Sequence, residues 1–297
     1  MIFVLLNGTC LAQQKITVAY FNVPPFIMYD NEHHQLIGGA LHEFLEQHMG
    51  PKMGVEFVWD KFPSAIPRQI ISLETGAVDA IALLAWNPQR AGRFRFTKTP
   101  YFSSLPALAV LNKCPLNRVE QIEDILPLRI GYGKDAYLTS FMRDKRINFD
   151  LLASGNFNEQ NFKKLLMARI DAVYAPDIVS LLVVVKKLNL EKEVAVIELP
   201  DKVSAFHLVF PQKAAAIARC YDQAFEQIDG QKLFLQILSK YVDTSKLKIS
   251  SFREPSDPVK RIETVCVKII QTDESPGSPG PALTPRPEAA SHTPDIR

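Results

Sequence analysis

The order of its hydrophobic patterns constrains this chain more than any other feature. Short apolar runs of strand length alternate with amphipathic stretches of helical period from residue 16 to residue 241. Such a chain lays its strands side by side and its helices across them, so the expected class is α/β with mostly parallel sheets. Residues 16–20, 55–59 and 78–85 read as strands, the last apolar enough to be buried on both faces. Between them, residues 40–48 set Leu41, Phe44, Leu45 and His48 on one helical face, and residues 65–74 do the same with Ile66, Ile70 and Leu73. Gly76 stands where a left-handed helix cap belongs, and Pro24-Pro25 and Gly38-Gly39 punctuate the path from first strand to first helix.

A second unit starts near Cys114. Residues 128–132 predict a strand and 136–143 a helix with Asp135 as N-cap. A helix over 158–168, a strand over 170–174, a helix over 177–188 and a strand over 194–199 follow. Residues 205–210 form a strand returning to the first unit, and helices over 214–228 and 231–241 are separated by Gly230. Residues 265–270 are a brief apolar run with strand propensity. From Thr272 onward Pro, Gly, Ser and Thr dominate without periodicity, which predicts disorder.

Length and composition narrow the function classes. A chain of 297 residues can bury two modest cores, and 47% apolar with 22% charged residues is globular usage. Lys+Arg at 34 against Asp+Glu at 32 leaves no field that would gather nucleic acid or an anionic membrane. Past the N-terminus nothing reaches the ~18 apolar residues of a spanning helix. Met1 to Leu6 is apolar, and Cys10-Leu11-Ala12 before Gln13 has the small-x-small form of a signal-peptidase site. Residues 1–12 therefore read as the remnant of a signal peptide that starts upstream, although a basic n-region is missing; a cytoplasmic chain with an apolar start is the alternative. Cys10, Cys114, Cys220 and Cys266 contain no C-x-x-C pair, so neither zinc nor a dense disulfide framework is indicated, and a single bridge stays open.

Three segments, in order, carry a resemblance. They are Val23-Pro24-Pro25-Phe26 with Gln35-Leu36-Ile37-Gly38-Gly39-Ala40-Leu41-His42-Glu43-Phe44; Gly76-Ala77-Val78-Asp79-Ala80; and Asn87-Pro88-Gln89-Arg90 followed by Phe96 and Pro100-Tyr101. Over about residues 15–241 the chain resembles the family 3 extracellular solute-binding proteins of ABC importers, the amino-acid-binding group with the type II periplasmic fold. The resemblance implies a two-lobed α/β fold with a two-strand hinge near residues 105–111 and 204–210. Its first lobe would comprise 13–108 plus 205–250 and its second 109–204, with 251–297 a mostly disordered tail. It implies a monomer outside the cytoplasm that closes on a small polar metabolite, an amino acid or related compound, and presents it to an ABC permease. No cofactor, catalysis or nucleic acid is implied. The runner-up is a ligand sensor or dehydratase-like enzyme on the same scaffold.

The same resemblance points to site residues. Arg90 would hold a ligand carboxylate, since a guanidinium offers paired N–H donors and keeps its charge when partly buried. Its neighbours Ala85, Trp86 and Asn87 lie just past a parallel strand, where ligands of open α/β sheets gather. Phe62, Phe26 and Trp86 are the aromatic candidates, each serving either as a cleft wall or as core packing. Asp135 and Ala136 follow the second-lobe turn Gly131-Tyr132-Gly133-Lys134 and stand where the family presents its G-T or G-S turn. A carboxylate there either repels an anion or merely caps a helix. Asp177 lies about one residue beyond the family's ammonium-binding aspartate and either turns into the cleft or caps the next helix.

Other motifs compete with these. Gly131-x-Gly133-x-x-Ala136 imitates a dinucleotide fingerprint, but it stands alone in mid-chain with Lys134-Asp135 inside the loop. His42-Glu43-Phe44-Leu45-Glu46 starts like a zinc-protease helix and has Glu46 where the second histidine belongs. His33-His34 reads as a solvated turn. No G-x-S-x-G elbow and no P-loop occurs.

Overall fold

The computed structural model describes residues 13–244. The expected signal remnant, the expected tail with its strand at 265–270, and residues 245–250 lie outside them. The first unit runs β1 (Gln14–Ala19), β2 (Met28–Asp30), β3 (Gln35–Gly38), α1 (Ala40–Glu43), a π-helical turn (Phe44–Met49), α2 (Gly50–Met53), β4 (Val55–Trp59), α3 (Ile66–Thr75), β5 (Ala80–Ala85), α4 (Pro88–Ala91), β6 (Phe94–Phe96) and β7 (Phe102–Ser104). The second runs β8 (Ala107–Leu111), a 3-10 turn (Ile122–Asp124), β9 (Arg129–Gly133), a further 3-10 turn (Phe141–Arg143), β10 (Asn148–Leu152), α5 (Phe157–Leu166), β11 (Ala172–Ala175), α6 (Ile178–Lys187) and β12 (Val194–Glu198). The chain then returns as β13 (Ser204–Pro211), α7 (Ala215–Gln227) and α8 (Gly230–Leu238).

Two sheets result, and their strand orders match. The first is β4-β1-β5-β13-β6, with β7 also on β13; the second is β10-β9-β11-β8-β12. In each, the three strands at one end of the order are parallel and the strands beyond them antiparallel. The sheets are thus mixed rather than mostly parallel, because β13 and β8 each enter their sheet from the other lobe, without the local crossover that would align them. This is a two-lobed α/β fold of the type II periplasmic-binding kind. Both strands expected at the hinge exist, but each is paired inside one sheet: β8 between β11 and β12, and β13 between β5 and the β6–β7 side. The crossings themselves are short, at Leu105-Pro106 on the way out and residues 199–203 on the way back.

Local structure follows the sequence pattern closely, with two departures. The helix expected over 40–48 runs on through the π-helical turn and α2 to Met53; Gly50 lies so close to β4 that a Cβ would stand 2.9 Å from the Val55 carbonyl oxygen. Gly76, at φ 75°, takes the left-handed cap of α3 as expected. The second departure matters more: residues 136–143 form no helix. Asp135 adopts φ 56°, the Ala136 amide closes a turn on Gly133 O, and the chain then runs extended to the 3-10 turn. The Tyr132 hydroxyl donates to the Tyr137 carbonyl at 2.6 Å, and the Arg143 guanidinium to that of Leu138 at 3.0 Å. Side chains satisfy the carbonyls that a helix would have used, so the segment crosses from β9 to β10 as a strap.

The first-lobe core is rich in aromatic rings. Phe26 is fully buried, with ring centroids 5.0 Å from Phe102 and 6.4 Å from Phe234; Phe234 also meets Phe44 at 5.5 Å and Tyr101 at 5.2 Å. The structure thus resolves the two readings of Phe26 in favour of core packing and corrects its candidacy as a cleft wall. Phe26→Ala is expected to cost about 3–5 kcal/mol, a drop in melting temperature of roughly 10 °C for a protein of this size, and to do so whether or not a ligand is present. Calorimetric melts of the two proteins check it.

Candidate functional site

The parallel strands of both sheets end on one cavity. Phe21 and Val23 follow β1, Ala85 closes β5, Tyr132 is near the end of β9, Ala175 closes β11 and Pro176-Asp177 follow it, all lining one space between the sheets. Ends of parallel strands are where an open α/β sheet leaves a crevice, since the chain there turns away to either face. Here two such crevices face each other.

Arg90 is placed by a local device. Asn87 caps α4, its Oδ1 accepting from the Arg90 amide at 2.8 Å, and Pro88 opens the helix with its φ already set. The single turn delivers Arg90 into the cavity, 7% exposed. Its guanidinium donates to the carbonyl of Ala85 at 3.2 Å and, across to the second lobe, to that of Asp135 at 2.8 Å. It has no carboxylate partner among the described residues. Burial pulls its pKa down, yet a guanidinium stays charged, so the cavity holds a cation with two of its five N–H groups engaged. By contrast Arg93 pairs with Glu74 at the surface and Arg95 is exposed.

Asp177 fulfils both of its readings at once. It caps α6, with Oδ1 accepting from the Ser180 amide at 2.7 Å and Oδ2 from the Ser180 hydroxyl at 3.0 Å, and it lines the same cavity. It is 3% exposed and has no cationic partner among the described residues. Burial pushes its pKa up to about 6, against the opposing effect of the two Ser180 bonds.

The remaining candidates divide. Ala85 and Ala136 line the cavity. Asn87 does not; it acts by holding Arg90. Asp135 bonds to Arg90 through its peptide oxygen while the residue itself is exposed, its carboxylate acts on Arg90 only through space, and it caps no helix. Trp86 and Phe62 stand 46% and 48% exposed and outside the lining. Strand alternation explains Trp86, whose inward neighbour Ala85 takes the cavity side. Beside Phe62 the space is filled: Gly155 of the second lobe packs against the Pro63 backbone, and the Lys61 ammonium lies 5.2 Å from the Phe62 ring centre. The aromatic walls are instead Phe21, Tyr132, Tyr137, Phe157 and Phe206. Sequence reasoning missed them, together with Asn158 and Ser180. Position just after a parallel strand was the signal that would have found Phe21 and Phe157.

Elsewhere, motifs that imitate other chemistry have ordinary partners. His42 Nε2 lies 3.1 Å from Glu46, whose carboxylate also takes the Trp59 indole N–H. The glycine-rich turn after β9 opens the extended strap, so no helix N-terminus waits there for a phosphate.

The lobes touch around the cavity. The Asn22 amide donates to Gly155 O at 2.7 Å, and its side chain to Asn156 Oδ1 at 3.3 Å. Phe21 stacks on Phe157 at 5.5 Å. A Cβ on Gly155 would stand 2.5 Å from the Pro63 carbonyl oxygen, so only glycine fits that approach.

No protein-family model and no curated protein sequence matches the chain. Solved structures do. The GluR0 ligand-binding core from Nostoc punctiforme, in complex with L-glutamate, aligns with a TM-score of 0.64 at 17% identity, over 77% of this chain and 99% of that one. An amino-acid ABC transporter substrate-binding protein from Streptococcus pneumoniae bound to L-arginine gives 0.64 at 16% identity, over 76% and 94%. A putative L-cystine ABC transporter protein from Listeria monocytogenes gives 0.63 at 16%, over 79% and 98%. At these identities the likeness is one of fold.

The Asp177 environment yields a pH signature. Its pKa rises from 3.8 to about 6 on folding, so the folded state holds the proton more tightly over that window. Stability without ligand should therefore fall as pH climbs from about 4 to about 6, with the penalty fully present above 6. Asp177→Asn keeps a cap of similar strength and removes the buried charge. Its melting temperature should equal or exceed that of the parent above pH 6. Asp222 titrates in the same range, so the difference between the two proteins in pH-resolved melts, rather than either curve, isolates Asp177.

Proposed function

We propose that the protein is an extracytoplasmic solute-binding protein that captures a small amino acid between its lobes and presents the closed form to an ABC permease. The observation that carries this reading is the presence in one cavity of a buried guanidinium and a buried carboxylate, neither of which has an ion-pair partner among the described residues. A zwitterion answers both: its carboxylate meets Arg90 and its ammonium meets Asp177, each gaining a charge-assisted bond in a low dielectric. Folds of this type solved with L-glutamate and L-arginine support it. The apolar N-terminal sequence supports export, and a monomer suffices because both halves of the site come from one chain.

Closure follows from differential affinity. A ligand touching both lobes favours the closed state by the bonds it makes only there, and the Asn22, Phe21 and Gly155 contacts contribute the ligand-independent share.

In a thermal-shift screen against the common L-amino acids, a true ligand at 100 times its Kd should add about 2.7 kcal/mol, a rise of roughly 5–10 °C. Arg90→Ala should abolish that rise, and the ligand should be recovered chemically unchanged. A ligand whose shift survives Arg90→Ala would remove the site from this cavity. Ligand consumption would favour the dehydratase-like alternative. A second variant probes closure. Gly155→Ala should weaken binding by about tenfold or more and leave the lobes further apart in small-angle scattering at saturating ligand. An unchanged Kd would show that the rim contact is irrelevant to binding.

A further inference from the structure

We infer that the ligand's side chain is uncharged and carries a hydroxyl or carboxamide, and that Asn158 is the residue that reads it. The inference rests on the amino-acid reading of the cavity and adds to it. Arg90 and Asp177 are the charged residues in the lining. Once they hold the α-carboxylate and α-ammonium, a third charge on the ligand would be buried with nothing to answer it, which is among the costliest arrangements a site can adopt. The rest of the wall is largely apolar, with Phe21, Val23, Ile66, Phe157 and Phe206.

One polar group in that wall is unspent. Asn158, at the start of α5, is 5% exposed, and its side-chain oxygen is buried with no hydrogen-bond partner among the described residues. Other polar groups near the cavity are committed: the Tyr132 hydroxyl to Tyr137 O and the Ser180 hydroxyl to Asp177. A buried acceptor left empty penalises every ligand that cannot donate to it, so a site of this kind discriminates against an apolar isostere more strongly than a purely apolar pocket could. Asn158 also borders a smaller recess, where Glu159 and Lys187 stand beyond it. A long cationic side chain reaching past Asn158 to Glu159 is the competing geometry, and the test includes it.

Binding of isosteric pairs to the full chain decides the matter by titration calorimetry: L-threonine against L-valine and L-glutamine against L-methionine, with L-arginine and L-glutamate as charged probes. At least one polar member should bind its site roughly tenfold or more tighter than its apolar isostere, with both charged probes weaker. Asn158→Ala should erase that preference while retaining binding of the apolar member. Equal affinities within both pairs, tightest binding of arginine or glutamate, or a preference that survives in Asn158→Ala would each overturn the inference and leave the amino-acid reading standing. Binding by none of the probes would overturn both. The comparison within the parent protein needs no variant, so an Asn158→Ala chain that fails to fold does not spoil the test.

Discussion

Everything at this site depends on a guanidinium buried between two lobes with no ion-pair partner among the described residues. Arg90 is held in place by the Asn87 cap and by two peptide oxygens, one from each lobe, at Ala85 and Asp135. Carbonyl dipoles stabilise a cation partly, and they do so without neutralising it. The lobe interface therefore keeps a positive potential focused in a low-dielectric space, and α6 adds a carboxylate on the far side whose anion burial disfavours. Two charges are desolvated in one cavity, and no direct ion pair joins them. A protein selected only for stability would replace such a pair with apolar packing. Its presence is the physical reason to look for a ligand there.

The backbone around the cavity is shaped to the same end. Leu83, in the middle of β5, and Asp135, in the turn after β9, both adopt left-handed φ, at 57° and 56°. A bulky side chain in that region costs of order 1 kcal/mol, which the surrounding structure must offset. Leu83 sits opposite the register shift in β13 between His207 and Val209, so the strand kinks where it lines the cavity. Asp135 turns its carbonyl onto Arg90. Both distortions bring main chain to the place where the ligand groups would gather.

Much of the fold was legible because it is written in periodicity. The strand at 55–59 and the helices over 65–74, 158–168 and 177–188 appear within a residue or two of their expected bounds, since apolar spacing and caps such as Asp177 and Gly76 specify them locally. The helix expected over 136–143 failed for a tertiary reason: Tyr132 and Arg143 satisfy the carbonyls of Tyr137 and Leu138, which no window of sequence reveals. Arg90, Ala85, Ala136 and Asp177 were legible in the site because they occupy fixed offsets from strand ends. The aromatic walls were not. Phe62 and Phe157 have the same chemistry and both precede or open a helix, yet the approach of Gly155 to Pro63 fills the space beside the first and the cavity takes the second. Which aromatic faces a cleft is decided by how two lobes meet.

That meeting also sets the balance between open and closed forms. On the proposed reading, the rim contacts of Asn22 and Phe21 would favour closure, while the incomplete solvation of Arg90 and Asp177 would oppose it. A zwitterion reverses the sign of the second contribution, since its two charges replace the water that closure removes from both residues. Neither a lone anion nor a lone cation could do this, because each would leave one buried charge unanswered. A ligand shifts a two-state equilibrium only by its difference in affinity for the two states. Placing the two charges on opposite lobes makes that difference large for molecules that carry both and small for those that carry one. On the proposed reading, the lobed architecture would select for zwitterions before any contact with the ligand's side chain is made.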